Sequence, residues 1–147
     1  MSVPGQIAAY IASQPEPKRA ELQALHDLVV GISPDSKLWF LDGKDASGKV
    51  VSNPNIGYGS QTIDYANGKS REFYKIGLSA NTTGISVYVM GLKDKNLLAN
   101  RFGDRIGKAS VSGYCVKFRT LQDIDAEALE DVIRFGLEDS SPLMGEG

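Results

Sequence analysis

The sequence predicts an α+β fold, with an antiparallel β-sheet of about four to five strands packed against N-terminal and C-terminal helices. Apolar residues recur at helical spacing near both ends of the chain, and the middle alternates apolar with polar residues between glycine-containing turn signals. A length of 147 residues is one domain's worth, and 41% hydrophobic with 23% charged residues is close to the globular average. We expect a single domain over residues 1–139 and a frayed tail over 140–147.

The first helix starts near Ser2, carries Pro4 in its first turn, and places Ile7, Tyr10 and Ile11 on one face. Pro15 ends it. The segment 16–32 has Leu22, Leu25, Val29 and Ile32 three, four and three apart, with Pro17 in the opening turn and Pro34 beyond the end. Leu38-Trp39-Phe40-Leu41 is a short apolar run whose periodicity fits helix or strand equally. Residues 42–55 collect Gly43, Gly48 and Pro54 with several Asp, Asn and Ser, which reads as an exposed loop holding a small hairpin at Ser47-Gly48.

The sheet follows. Thr62–Tyr65 alternates, Asn67-Gly68 signals a hairpin, and 72–79 resumes with Tyr74, Ile76 and Leu78 on one face. After Asn81-Thr82-Thr83-Gly84 comes Ile85–Met90, so three strands form a meander. Residues 93–106 place Leu98, Phe102 and Ile106 four apart on a helix, and the strand 113–118 carries Tyr114, Val116 and Phe118 on one side. In the last helix Asp125 is the cap, Ile124 and Leu129 form a hydrophobic staple, and Leu129, Val132, Ile133 and Leu137 make the core face.

The charge balance limits the partners. A formal charge of −2 and a pI of about 5.4 are the reverse of the footprint phosphate backbones select, so nucleic acid is not an expected partner. Basic residues fall in scattered groups, Lys18/Arg19, Lys93/Lys95, Arg101/Arg105/Lys108 and Lys117/Arg119, of which only the third has the spacing of one helical face. No basic segment precedes Ile7–Ala12, and that stretch is too short for a signal core or a membrane span, so the expectation is cytoplasmic, with no membrane partner.

Chemistry-bearing residues are few. Cys115 is the single cysteine and His26 the single histidine, which leaves neither an internal disulfide nor a His/Cys zinc site, and both read as structural. Gly103–Ser110 approaches a phosphate loop and misses, with three residues between the glycines instead of four and Ala109 where the hydroxyl belongs. Asn55–Ser60 reads as a glycine-rich turn between strands. No Gly-x-Ser-x-Gly elbow occurs, so a hydrolytic triad is not expected. Trp39, Tyr58, Lys75, Tyr88 and Lys108 are the candidate ligand-binding residues: if Lys75 and Tyr88 share a sheet face near Tyr58, they line a polar, aromatic concavity. Glu127, Glu130 and Asp131 are weak candidates for a metal, at helical separations that a solvated acidic flank explains better.

The order of short motifs also carries a resemblance. Tyr10-Ile11-Ala12-Ser13-Gln14-Pro15-Glu16-Pro17 leading into the Leu22/Leu25/Val29 helix, then Ser33-Pro34-Asp35, Ile56-Gly57-Tyr58-Gly59, Ile85-Ser86-Val87-Tyr88, Gly107-Lys108 through Phe118, and Asp123-Ile124-Asp125, resembles the YdhG-like family of domains of unknown function. The resemblance spans most of the chain. It implies a compact α+β domain and, from a frataxin-like annotation of some members, an intracellular iron chaperone, with iron as the only metal it implies. The chain departs from the commoner pattern where Ser60 follows Tyr58-Gly59 in place of a Met-Pro pair, and in a long 42–55 loop. Two expectations follow: a non-catalytic binding or carrier domain for a small molecule or protein partner, iron delivery being its most specific form, or a small enzyme using a Tyr/Lys-lined pocket.

Overall fold

The computed structural model describes residues 2–138 apart from Gly91, Lys93 and Lys95, so the tail expected over 140–147 lies outside the described residues. The element order is α1 (Val3–Ala12), α2 (Lys18–Ile32), β1 (Leu38–Leu41), β2 (Asn55–Tyr58), β3 (Gln61–Asp64), β4 (Ser70–Phe73), β5 (Ile76–Ala80), β6 (Ile85–Val89), α3 (Leu97–Phe102), β7 (Ser110–Ser112), β8 (Cys115–Phe118) and α4 (Ala126–Glu138). The fold class is α+β, as expected, with more strands than the four or five anticipated. Six strands form one antiparallel sheet in the order β1-β2-β5-β6-β8-β7, and β3 with β4 makes a separate two-stranded ribbon. No described helix is long and apolar enough to cross a membrane.

The helix ends follow local chemistry. The Ser2 side chain accepts from the Gly5 amide, with Pro4 in the first turn of α1, where its missing N–H is no loss. Helix α2 begins two residues later than the expected 16, because the Glu16 carboxylate stays outside to accept from the Ala20 amide at 3.1 Å and the Arg19 guanidinium at 2.9 Å. Asp125 caps α4 through its side chain to the Ala128 amide, and Ile124 and Leu129 are both buried in the core. The expected helix over 93–106 shortens to α3, which ends at Gly103, while Ile106 still reaches the core from the turn beyond.

Cross-strand register sorts the sheet into two unlike faces. One row runs Phe40, Ile56, Leu78, Val87, Val116, Val111 across all six strands, flanked by Leu38, Tyr58, Ile76 and Val89. These apolar residues share a single core with Ile7 and Ile11 of α1, Leu22, Leu25 and Val29 of α2, Leu98 and Phe102 of α3, and Leu129, Val132, Ile133 and Leu137 of α4. Helices at both ends of the chain thus pack on the same side. The opposite row is Trp39, Gly57, Gly77, Tyr88, Cys115, Ser112, beside Ser79, Ser86, Lys117 and Ser110. Because side chains alternate along a strand, this second face carries glycines and polar residues, with Trp39 and Tyr88 as its large side chains, where the first is mostly aliphatic.

Four expectations change. Residues 72–79 are two strands rather than one: the chain bends at Tyr74-Lys75, so β4 pairs with β3 while β5 pairs with β2 and β6, and the three-strand meander is not formed. Tyr74 therefore does not join Ile76 and Leu78. Its ring lies over Gly57 and Gly77 on the other face, where a Cβ at either glycine would sit only 2.4 or 2.6 Å from it. Two glycines paired across adjacent strands leave a two-side-chain hollow, and the ring fills it. Asn55–Tyr58, expected as a turn, is strand β2 in the middle of this packing. Tyr114 sits in the Gly113-Tyr114 turn between β7 and β8, exposed, rather than on the buried side with Val116 and Phe118. The hairpin expected within 42–55 is present, closed by a Lys44–Val50 bridge and by Asp45 accepting from the Ser47 and Lys49 amides. The apolar run Leu38–Leu41 resolves as an edge strand.

Gly77→Ala should lower the unfolding free energy by about 1–3 kcal/mol through overpacking against the Tyr74 ring. In a Tyr74→Ala background the same change should cost clearly less. Gly31→Ala on α2, where nothing lies within 4 Å of the added methyl, should be neutral or stabilising by up to about 1 kcal/mol. Urea midpoints with unchanged m-values decide; equal costs for Gly77→Ala with and without the Tyr74 ring would contradict the packing.

Candidate functional site

The concavity expected from Tyr58, Lys75 and Tyr88 is not assembled. Tyr58 pairs in register with Ile76, which pairs with Val89 rather than Tyr88, so the two tyrosines point to opposite faces. Tyr58 is fully buried under the helices, with its hydroxyl 2.6 Å from His26 Nδ1 on α2. Burial drives the Tyr58 phenol far above its ordinary value, so it stays protonated and donates to the imidazole. Lys75 reaches the other way, its ammonium donating to the Leu137 carbonyl at 3.1 Å, where a cation meets the negative end of α4. Tyr88 stays half-buried on the second face, between Gly77 and Cys115. His26 is a structural partner of Tyr58, and burial holds its imidazole below the usual histidine range. Burial likewise raises the Cys115 thiol, which disfavours its thiolate.

Trp39 belongs to an aromatic group at the β1 end of the second face. Its indole N–H donates to the Gly59 carbonyl at 2.8 Å, the Phe73 ring meets it edge-on at 6.0 Å, and the Lys37 ammonium lies 4.3 Å over it. Phe73 in turn stacks on Tyr74 at 4.2 Å and carries the Arg71 guanidinium at 4.2 Å. Burial pushes the Tyr74 phenol up to about 12. These rings fill each other's faces, so the group reads as the clamp that holds the β3–β4 ribbon to the sheet.

Two of the three acidic candidates on α4 are engaged by arginines. Asp131 pairs with Arg105 at 2.7 Å and Glu130 with Arg134 at 2.8 Å, while Glu127 is exposed in the first turn. Among the described residues, no three His, Cys, Asp or Glu side chains gather at metal-binding distance, so the helix assembles no chelating set for iron.

Lys108 stands elsewhere, and it gathers neighbours the sequence did not bring together. It does not share a face with Arg101 and Arg105: α3 ends at Phe102, Arg101 lies over the Phe102 and Phe135 rings, and Arg105 turns to Asp131. Lys108 instead lines a cleft of about 590 Å³ with Asn81, Thr83, Ser110, Lys117, Arg119 and Asp123, floored by Ile85, Phe118 and Ala109. Part of the gathering follows from register, since Ser110 pairs with Lys117. Lys108 lies before β7, where the Gly107–Ile124 bridge sets it beside Asp123, and Arg119 follows β8 directly.

The far wall is the Asn81–Gly84 turn between β5 and β6. The Asn81 side-chain oxygen accepts from the Thr83 amide, the Thr83 hydroxyl and the Gly84 amide at 2.8–3.0 Å, while its nitrogen donates to Ser86. Lys18 of α2 donates to the Asn81 carbonyl and ties the turn to the helix layer. Gly84 runs so close to β8 that a Cβ there would fall 2.0 Å from the Phe118 carbonyl oxygen, so no side chain stands between the turn and Arg119. The Lys108 amide donates to the Asp123 carbonyl at 2.9 Å and closes the floor. Asn81, Thr83, Ser110, Lys117 and Arg119 are the residues that sequence reading missed. The signal for Ser110 and Lys117 was present in Ser112-Gly113: read as a hairpin turn, it folds 110–112 back on 115–117.

No protein-family model, no curated protein and no solved structure matches the chain.

The His26–Tyr58 contact gives a pH dependence with a definite sign. The folded imidazole has a lowered affinity for protons relative to the unfolded chain, so stability is full above the ordinary histidine pKa of about 6.5 and falls as pH drops through it toward the folded value. Urea unfolding followed between neutral pH and pH 5 should show this loss, and the His26 ring resonances should titrate with a midpoint below 6.5. A His26→Gln variant should lack the histidine component of the slope; a midpoint above the ordinary value would contradict the assignment.

Proposed function

We propose that this chain is a non-catalytic binding domain whose ligand is a small molecule held in the cleft between the Asn81–Gly84 turn and the β7–β8 hairpin. One observation carries this reading: Lys108, Lys117, Arg119 and Ser110 converge on a concave rim of the sheet, and the first three have no carboxylate within ion-pair distance among the described residues. Elsewhere the side chains of chemical interest are already occupied, His26 with Tyr58, Lys75 with the end of α4, and Trp39 with Phe73 and Gly59. Among the described residues, the side chains of Lys108, Ser110, Lys117 and Arg119 have no such partner.

The resemblance to the YdhG-like family agrees with a carrier role and with this α+β architecture. Its iron-chaperone form finds little support, because the cleft is lined mainly by cations and two of the three candidate α4 carboxylates are engaged by arginines. The enzyme reading needed Lys75 and Tyr88 on one face of the sheet, and their separation removes its premise.

A thermal-shift screen of neutral and charged metabolites tests the cleft directly. A ligand at 100 times its Kd should stabilise the domain by about 2.7 kcal/mol, raising Tm by several degrees. Amide shifts in such a complex should centre on 81–84, 108–110 and 117–119. Ser110→Trp, at an exposed position, should fill the cleft and remove the response without altering the unliganded Tm. Hits that map instead around Tyr88, or that survive Ser110→Trp, would place the binding function elsewhere.

A further inference from the structure

We infer that the cleft selects a multivalent oxyanion, a group bearing two or more negative charges such as a phosphate, a diphosphate or neighbouring carboxylates. This rests on the reading of the cleft as the binding site and adds the chemistry of what enters it. Three cations and one carboxylate, Lys108, Lys117 and Arg119 with Asp123, line the cavity, so the local balance is 3 − 1 = 2 positive charges on a chain whose formal charge is −2. A concave wall concentrates such a field, and a concentration of like charge against the molecule's overall sign is maintained at a cost that an anionic ligand offsets.

The donors are arranged as well as present. The guanidinium of Arg119 offers a planar fork suited to two oxygens of one oxyanion, and Lys108 lines the same cavity. Lys117 and Ser110, opposite each other in the β7–β8 register, add a further cation and a hydroxyl donor for a second anionic group of a diphosphate or dicarboxylate. The Ser110 hydroxyl has no hydrogen-bond partner among the described residues and is free to donate. Asn81 and Thr83 contribute position rather than contacts, since the Asn81 oxygen holds the turn and the Thr83 hydroxyl donates to it. The absence of a side chain at Gly84 leaves Arg119 open from that side.

The test is an amide-shift titration of the whole chain with inorganic pyrophosphate and, separately, with citrate at about 0.15 M NaCl, where nonspecific surface attraction is screened within about 8 Å. The expected result is saturable shifts at 83–84, 108–110 and 117–119 with a Kd below about 1 mM, and no such shifts from sodium chloride at matched ionic strength. Lys117→Gln with Arg119→Gln, both exposed and outside the core, should weaken binding at least about tenfold, as expected when charged partners of a ligand are removed. Asp123→Asn should tighten it. Shifts that grow without saturating, or an Asp123→Asn variant that binds more weakly, would overturn the inference. So would retention on phosphatidylserine vesicles in the absence of any pyrophosphate or citrate binding. If neutral metabolites from the screen occupy the cleft while pyrophosphate and citrate do not, the oxyanion inference fails and the binding-cleft reading stands; if no probe shifts the cleft, both fail.

Discussion

Everything in this fold depends on a register that keeps Ile56, Leu78, Val87 and Val116 in one line across β2, β5, β6 and β8. Side chains alternate with a period of two, so a slip of one residue in any of these strands would turn its apolar set away from the helices and carry glycine, serine or lysine into the core. The row on the other face shows what the correct register excludes from the helix layer: Gly57, Gly77, Tyr88 and Cys115. Hydrophobic burial under four helices and the smallness of the second face are thus two expressions of one alignment.

The small second face has its own packing logic. Glycines paired at 57 and 77 open a hollow that the Tyr74 ring occupies, and Phe73 and Trp39 extend the cluster to the edge strand. This is why the chain breaks between β4 and β5: an uninterrupted strand would hold Tyr74 on the side of Ile76, whereas the bend lets its ring turn to the glycines. The break also frees β3 and β4 to form a ribbon of their own, while the β5–β6 turn meets the outer ends of β7 and β8 and encloses the cationic cleft with them.

The polar groups divide in the same way. Those under the helices are matched inside the protein, as with Tyr58 and His26, or Tyr10, whose hydroxyl accepts from the Ala80 amide and donates to the Pro54 carbonyl. A buried hydroxyl without such a partner would cost about 1–3 kcal/mol. The four ion pairs among the described residues lie at the surface, where solvent screening leaves them little weight in stability. Lys108, Lys117 and Arg119 are exposed and outside these pairs, and what distinguishes them is that they line one cleft.

By itself the amino-acid sequence determined the α+β class, the helices over 3–12, 18–32 and 126–138, the Ser2 and Asp125 caps, the Asn67-Gly68 turn and most of the core, because helical and strand periodicity and capping act within a few residues of one another. Lys108 was legible as a candidate, but its companions were not. Lys117 and Arg119 read as one more scattered basic pair, and Tyr58 and Tyr88 read as neighbours. Only the tertiary structure decided these questions, since which residues share a face depends on strand register and on where a strand breaks. Both are set by contacts beyond local periodicity: a tyrosine ring over two glycines, and a hairpin that folds residue 110 back onto residue 117.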